Sequence, residues 1–530
     1  MNRPFLRVPP FPGARPATAR SGSAPAADAA AVADLAARLV AARVGGSFWG
    51  PRPDLPVGAI VLAAATRAGA AAMTAQAHER GIADRAIGVG PEGWFAGLRC
   101  VPGDSDPWPL AERADAVWVD GAHDLALVAG LLGRPRRVFA PGRFGGSAAE
   151  GVAALLADDG WCDPFDGRPW TPAQVVAQFT DWRALIDANR PAARVFGIAR
   201  WKRPTLDALL WGGAGPVAYA ARADALRPGE RALAWVTRTA PAVLAALPEV
   251  GEIEDGMIRS QGLGANCVPP LSVVVDAQGV HFDPSRPNGL ERLLAEGEFD
   301  AALLARAAAL RERLVATGIG KYGADGAAGL PRATSGRRRV LVPGQVEDDR
   351  SILTGGAGLT NLALLKAARA LEPGAHIVFR PHPDVEAGHR AGRVADADAL
   401  AYADAVERGG SVAAAIAAAD ALHVITSLAG FEALMRGKAV TTHGVPFYAG
   451  WGLTRDLGPV PDRRGRARSI DELVAAVLIL YPRYLDPLSR LPCPVEVLVE
   501  RLAAGDADIR TPLVRLREWQ GRVVRAIGLR

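Results

Sequence analysis

Short apolar runs alternate with longer stretches of helical spacing along most of this chain. AAAVADLAARLVAARV carries apolar residues every three or four positions, and GAIVLAAA, AVWVD and RRVFAP follow as compact runs. The first pattern buries one face of a helix; the second fits a strand covered on both sides. The alternation resumes at RVFGIARWKR. There VFGIA, RALAWV, GEIEDG and the hairpin-like LSVVVDAQGVHF predict strands, ahead of a long helix over 298–317. A third series, RRRVLVPG, AHIVFRP, ALHVIT and KAVTTHG, places a helix after each strand. Strands alternating with helices predict parallel sheets, so the fold class is α/β.

Two such series in tandem, with polar motifs at strand ends of both, predict two Rossmann-like domains around a cleft. That is the GT-B glycosyltransferase arrangement, with the ligand at the carboxyl ends of the strands. The expected boundaries are a disordered tail over 1–30, a truncated, degenerate Rossmann-like unit over 31–156 and a connector helix over 157–191. An acceptor-side domain over 192–335, a nucleotide-binding domain over 336–490 and a C-terminal helical segment over 491–530 complete the chain. In the connector, Thr171 before Pro172 reads as an N-cap followed by proline at the first helical position. The degenerate unit is read from an internal repeat. ALHVITSLAGFEALMRGKAVTTHGVPFYAG matches AVWVDGAHDLALVAGLLGRPRRVFAPGRFGG when Gly437 is set on Gly133. Ser427 then falls on His123 and Glu432 on Val128, so the front copy keeps the pattern and loses the polar residues.

Composition narrows the function classes. The 530 residues exceed one core, the net charge is +5 and 22% of residues are charged. Of 61 Lys plus Arg, lysine stands only at 202, 321, 366 and 438. No dense basic block appears, so no nucleic-acid partner is expected. The mild excess suits a phosphate-bearing substrate or an anionic membrane surface. Cys100, Cys162, Cys267 and Cys493 stand alone, without CxxC spacing, so neither a metal site nor a disulfide framework is expected and a reducing cytoplasm is. The start has no apolar signal core, and VGAIVLAAATRAGAAAM, broken by Arg67, reads as a strand entering a helix.

Four segments carry chemistry. IVFRPHPDVEAGHR sets Arg380, His382 and Asp384 just past a strand, stiffened by Pro381 and Pro383. A histidine there can donate to a phosphate or a leaving group, or can be a packed loop residue. In HVITSLAGFEALMRGKAVTTHGVPFYAGWG, Ser427 opens a helix whose N-terminus can take an anion, or it only caps. Gly430 and Glu432 follow, the latter able to accept from a ribose diol. The aromatic loop after them closes over a ligand or packs two domains together. LVPGQVEDDRS places Glu347, Asp348 and Asp349 at another strand end. IEDGMIRSQGLGA offers Glu254, Asp255 and Arg259 from the other domain. One carboxylate from each side of a cleft is what retaining glycosyl transfer uses. Lys202, Lys321 and Lys438, rare in so arginine-rich a chain, all lie near these motifs, where a point ammonium differs from a guanidinium.

With these residues in view, the chain resembles the KpsC/LipA type of capsule polysaccharide biosynthesis and export proteins, the retaining β-Kdo transferases. The resemblance covers about 157–490 and rests on DPFDGRPWTPAQ, ARWKRP, IEDGMIRSQGLGA, DPSRPNGLERLL, KYG, VPGQVEDDRSI, RPHPDVEAGHR and SLAGFEALMRGKAVTTHGVPFYAGWGLTRD. It implies a CMP-Kdo donor, no further cofactor, and a phosphatidylglycerol-linked acceptor at the inner face of a Gram-negative membrane, among capsule export proteins. It also implies Asp349 as nucleophile, with Asp348 its rival, and Glu254 or Asp255 as acid/base. CMP contacts would come from His382-Pro383, Ser427, Gly430 and Glu432. Arg259, Lys202, Arg380 and Lys438 are the cations for sugar carboxylate or phosphate. The family carries two full transferase modules; the segment before residue 157 is too short for one. A scaffold of the export machinery and a glycerophosphotransferase using CDP-glycerol are the competing readings.

Overall fold

A computed structural model describes residues 4–17, 28–157, 161–223, 226, 230–247, 249–260, 267–321, 323–324, 336–386, 388 and 390–507. The chain forms two compact units, one of residues 1–193 with 206–218 and 489–491, the other of the remainder.

The first unit holds five parallel strands, β1 (Ile60–Ala63), β2 (Ala86–Val89), β3 (Arg99–Val101), β4 (Ala116–Asp120) and β5 (Arg136–Ala140), in the order 3-2-1-4-5. β1 and β2 are buried at every residue, as strands covered on both faces must be. The expected tail is not a tail over 4–17. Phe5 and Phe11 are 1% and 2% exposed, and Phe11 meets Trp182 and Trp211 edge to face. Burying two aromatic rings supplies the apolar area that holds this proline- and arginine-containing segment. The helix Pro172–Asn189 has the expected Thr171 cap, completed as a capping box by Gln174. It is more than a connector, since Phe179 and Trp182 belong to this unit's interior.

The second unit carries two larger sheets. One contains β6 (Ala192–Phe196), β7 (Tyr219–Ala220), β8 (Arg231–Ala234), β9 (Val250–Asp255) and β10 (Ser272–Asp276). The ribbon β11 (Ile319–Gly320) and β12 (Gly323–Ala324) follows, then the other sheet. That sheet contains β13 (Arg339–Pro343), β14 (His376–Arg380), β15 (Ala405–Val406), β16 (Ala421–Val424), β17 (Ala439–Thr442) and β18 (Arg455–Asp456). It is parallel throughout in the order β15-β14-β13-β16-β17-β18.

Two expectations change. LSVVVDAQGVHF is not a hairpin: after β10, Asp276 accepts from the backbone N–H of Gln278 and Gly279 and turns the chain, leaving His281 in a loop. The nucleotide-domain boundary also moves, because β19 (Pro482–Leu485) pairs antiparallel with β10 and β20 (Pro492–Cys493) pairs with β19. The chain thus returns to the first sheet before its last described helix, Val495–Ala504, which packs Leu498 and Leu502 into one core with Leu310, Leu314 and Leu473.

Candidate functional site

Glu254 and Asp255 end β9, where a strand's carboxyl end presents side chains beyond the sheet. The two carboxyls are shifted in opposite directions. Burial, and after it the Asp255 charge, push Glu254 up to about 7, against the pull of Lys202 and Lys321. Burial also pushes on Asp255, yet Lys202 and Arg259 outweigh it and hold that carboxylate below its ordinary range. Arg259 Nε lies 2.8 Å from Asp255 Oδ2, and Lys202 Nζ 3.4 Å from Oδ1. Lys202 is stacked 3.1 Å from the Trp235 ring centre, and burial draws it down to about 8. Two adjacent acids whose surroundings drive them apart, one near neutrality and one ionised, are the pattern of an acid/base and its electrostatic partner.

This geometry corrects two substrate-cation expectations. Arg259 is 2% exposed and spends its donors on Asp255, Ser260 Oγ and the Val268 carbonyl, while Lys202 is engaged by Asp255 and tryptophan. Both tune the acids. Lys438 is corrected too: it precedes β17, at the opposite end of the sheet, and donates to the Ala417 carbonyl at the close of the helix Val412–Ala418. A cation there answers the helix dipole. A second lysine, Lys321, also reaches the centre. Its carbonyl accepts from Arg259 N at 2.9 Å, and its ammonium acts on Glu254, Asp255, His281 and His382. The rarity of lysine pointed to it.

The parallel sheet supplies the second set. Asp349 caps the helix Arg350–Gly355, accepting from Ser351 N at 3.3 Å and Ser351 Oγ at 2.8 Å. Its carboxylate remains half-exposed, as does that of Asp348, which pairs with Arg390 at 3.1 Å. Glu347 is taken up by Asn361 N at 2.7 Å. Arg350, next to Asp349, bridges to Glu252 at 2.6 Å, so the helix of Asp349 is fastened to the strand of Glu254. His382 accepts from Asp384 N through Nδ1 at 3.2 Å. That leaves the proton on Nε2, as a donor; burial lowers the imidazole's pKa although Asp384 and Asp349 oppose it. Pro383 opens the short helix Pro383–Glu386 and is exposed. Arg380 is 7% exposed and donates to the Gly410 carbonyl at 2.6 Å, which builds it into the sheet end.

Ser427 caps the helix Leu428–Met435 through Ala429 N. Gly430 has a steric reason: a Cβ there would lie 2.1 Å from Tyr448 Oη, whose hydroxyl donates to the Ser427 carbonyl. Glu432 is buried against Gly320, with a small apolar cavity of about 20 Å³ beside it and Lys321. The aromatic loop packs: Tyr448 and Trp451 are fully buried, and Phe447 meets His281 across from β10. Gln345 escaped sequence reading. It is 7% exposed, and its Oε1 accepts from Ile425 and Thr426 N–H, tying the end of β13 to the end of β16. Among the described residues no cluster of His, Cys, Asp and Glu is placed to hold a metal ion.

The α/β fold with nucleotide-type motifs at the carboxyl ends of a parallel sheet is that of a GT-B-like protein. The sequence profile of the family "Capsule polysaccharide biosynthesis protein" matches residues 302–484. The capsule polysaccharide modification protein LipA of Neisseria meningitidis serogroup A is 44% identical over 236 residues, 44% of this chain and 33% of LipA. The lipopolysaccharide-processing protein LpsZ of Rhizobium meliloti is 44% identical over 247 residues, 46% of this chain and 56% of LpsZ. The chain thus spans about a third of LipA and about half of LpsZ. Thermosulfurimonas dismutans KpsC, beta Kdo 2,4 transferase, is 30% identical with a TM-score of 0.51, covering 59% of this chain and 98% of that one. The chain belongs to the KpsC/LipA-type family of capsule polysaccharide proteins.

Proposed function

We propose that the second unit is a retaining β-Kdo transferase of capsule biosynthesis, taking Kdo from CMP-Kdo to a phosphatidylglycerol-linked acceptor. The observation that carries the reading is the split pair on β9, Glu254 near neutrality beside ionised Asp255, fastened through Glu252 and Arg350 to the helix capped by Asp349. Asp349 attacks the anomeric carbon as the bond to the CMP phosphate breaks, and CMP leaves with the electron pair. The His382 Nε2–H and the helix start at Ser427 receive the phosphate charge, and Glu432 takes the ribose. An acceptor hydroxyl then attacks the same carbon, gives its proton to Glu254 and releases Asp349, restoring the configuration. Lys321 is the cation for the sugar carboxylate. No cofactor beyond the donor is invoked.

No described helix is long and apolar enough to cross a membrane. Peripheral association with the inner membrane, through the chain's basic excess, and contact with capsule export proteins belong to the same proposal. The first unit is read as structural, without transferase chemistry. The test is donor turnover: CMP released from CMP-Kdo but not from CDP-glycerol supports the assignment. CDP-glycerol turnover makes it a glycerophosphotransferase, and turnover of neither makes it a scaffold.

A further inference from the structure

Three neighbouring strands of one sheet, β6, β8 and β9, set the surroundings of Lys202. The lysine closes the short turn Arg200–Lys202 after β6, Trp235 follows β8, and Asp255 ends β9. The ammonium lies 3.1 Å from the centre of the Trp235 ring and 3.4 Å from Asp255 Oδ1. The Trp201 ring, on the lysine's own turn, is farther away at 5.3 Å. The Trp235 backbone is itself fixed. Its N–H donates to the Phe196 carbonyl at 3.1 Å, and its carbonyl accepts from Thr239 Oγ1 at 2.9 Å and Arg238 N at 3.0 Å. Gly197, at a φ of +71°, lets the chain leave β6 close by: a Cβ there would lie 2.7 Å from the Trp235 carbonyl oxygen. Trp235 is 4% exposed and the lysine side chain 12%.

An ammonium taken out of water is destabilised unless an anion or a π face replaces its hydration. Lys202 has both. Asp255 is shared, since its Oδ2 also accepts from Arg259 Nε at 2.8 Å. The Trp235 face is the second support of the charge, and it keeps a point cation beside two acids. Asp255 N donates to Glu254 Oε1 at 3.0 Å, so the Glu254 carboxyl is held next to that pair. The charged groups that act on Lys202 and Glu254 are Asp255 from β9, Arg259 from the loop after it and Lys321 from the turn of the β11–β12 ribbon. Burial draws Lys202 down to about 8, so it is charged at neutral pH, and that charge opposes the effect of burial on Glu254.

We propose that Trp235 is a positioning residue: its ring holds the Lys202 ammonium beside Asp255 and, through that charge, favours the ionised form of the acid/base Glu254. This deepens the transferase reading above and rests on it. Two measurements on the full chain test it. The first needs no turnover. Lysine stands only at 202, 321, 366 and 438, so isotope-labelled lysine gives a sparse set of side-chain methylene signals in NMR, and Lys202→Met assigns its own. That signal is expected upfield of the rest, in the ring current of Trp235. Trp235→Leu keeps apolar burial and removes the π face. It should return the signal to the others and lower its titration midpoint by roughly half a unit or more. A midpoint that stays or rises shows that the ring only excludes water, and overturns the proposal. The second measurement is the pH profile of CMP release from CMP-Kdo. Trp235→Leu should move its acid limb to higher pH, as Lys202→Met does, and the double variant should move it no further than Lys202→Met alone. An unmoved limb, or shifts that add, overturns the link to Glu254. If Trp235→Leu does not fold, Trp235→Phe is read in the same two ways, its weaker π face giving a smaller displacement in the same direction. A parent protein that releases no CMP from CMP-Kdo sinks the transferase reading, and the link to Glu254 with it, while the lysine signals still decide whether Trp235 holds the ammonium.

Discussion

The front sheet and the parallel sheet of the second unit share a five-strand order, to which the second adds β18, and differ in charge at the same place. Both run 3-2-1-4-5 in strand order, β13, β14, β15, β16 and β17 standing for β1 to β5. The helix after the fourth strand is capped by His123 in one and by Ser427 in the other, the equivalence that the repeat predicts. In both, one side chain ties the two central strands where the order reverses, the place at which open α/β sheets in general take ligands. In the second unit it is neutral: Gln345 accepts from Ile425 and Thr426 N–H. In the front unit it is an acid: Asp120 Oδ2 accepts from Ala65 N at 2.8 Å, Oδ1 is buried without a partner, and the carboxylate lies against Gly69 in the first turn of a helix. A carboxylate there takes the place of an anion and repels a phosphate. The buried Val128 stands where the second unit has Glu432. The strand order is thus shared, while the side chain at the switch point is an acid in the front unit and an amide in the second.

The largest expected effect is at the nucleophile. Asp349→Ala should abolish transfer, while the loss of a helix cap should lower stability by only about 0.5–2 kcal/mol. Intact mass after CMP-Kdo treatment should show a Kdo adduct that maps to Asp349. An adduct on Asp348 moves the assignment by one residue, and a fully active Asp349→Ala protein removes it.

Next comes Glu254→Gln, which should slow transfer about 10²–10⁴-fold and let the adduct accumulate, since only the second step needs the base. Glu254 must be ionised to accept the proton, so the parent's rate should rise with pH through about 7. Lys321 lowers that value, so Lys321→Met should shift the limb to higher pH. A limb that stays in place separates Lys321 from Glu254.

A smaller effect is expected for nucleotide contacts. His382→Ala and Glu432→Ala should each weaken CMP binding by about 1.5–3 kcal/mol, the value of a charge-assisted hydrogen bond, without unfolding the protein. Unchanged CMP affinity in both places the nucleotide elsewhere.

The smallest effect tests the front unit directly. CMP should bind with a stoichiometry of one per chain, and Asp120→Asn should alter neither donor affinity nor turnover. Nucleotide density near His123, or a second equivalent of CMP, would overturn the comparison.

The sequence by itself determined a good deal here. Runs such as IVLA and VLVP are apolar throughout and reappear in strands buried at every position. The caps at Thr171 and Ser427 were legible because capping is a local matter of one side chain and the next turn. The acids Glu254, Asp255 and Asp349 were legible as strand-end motifs. What the tertiary structure alone decided was which charges are paired with which. Lys202 and Arg259 read as substrate cations because no pattern in the chain shows that Asp255 lies within 3.4 Å and 2.8 Å of them. Lys438 read as part of the site because adjacency in sequence hides that it sits at the far end of its sheet. Gln345 carried no signal beyond its residue type, since its role comes from partners 80 and 81 positions away. Local preference fixes where a strand or helix starts; the neutralisation, burial and pairing that turn a polar residue into a working one are set by packing between distant segments.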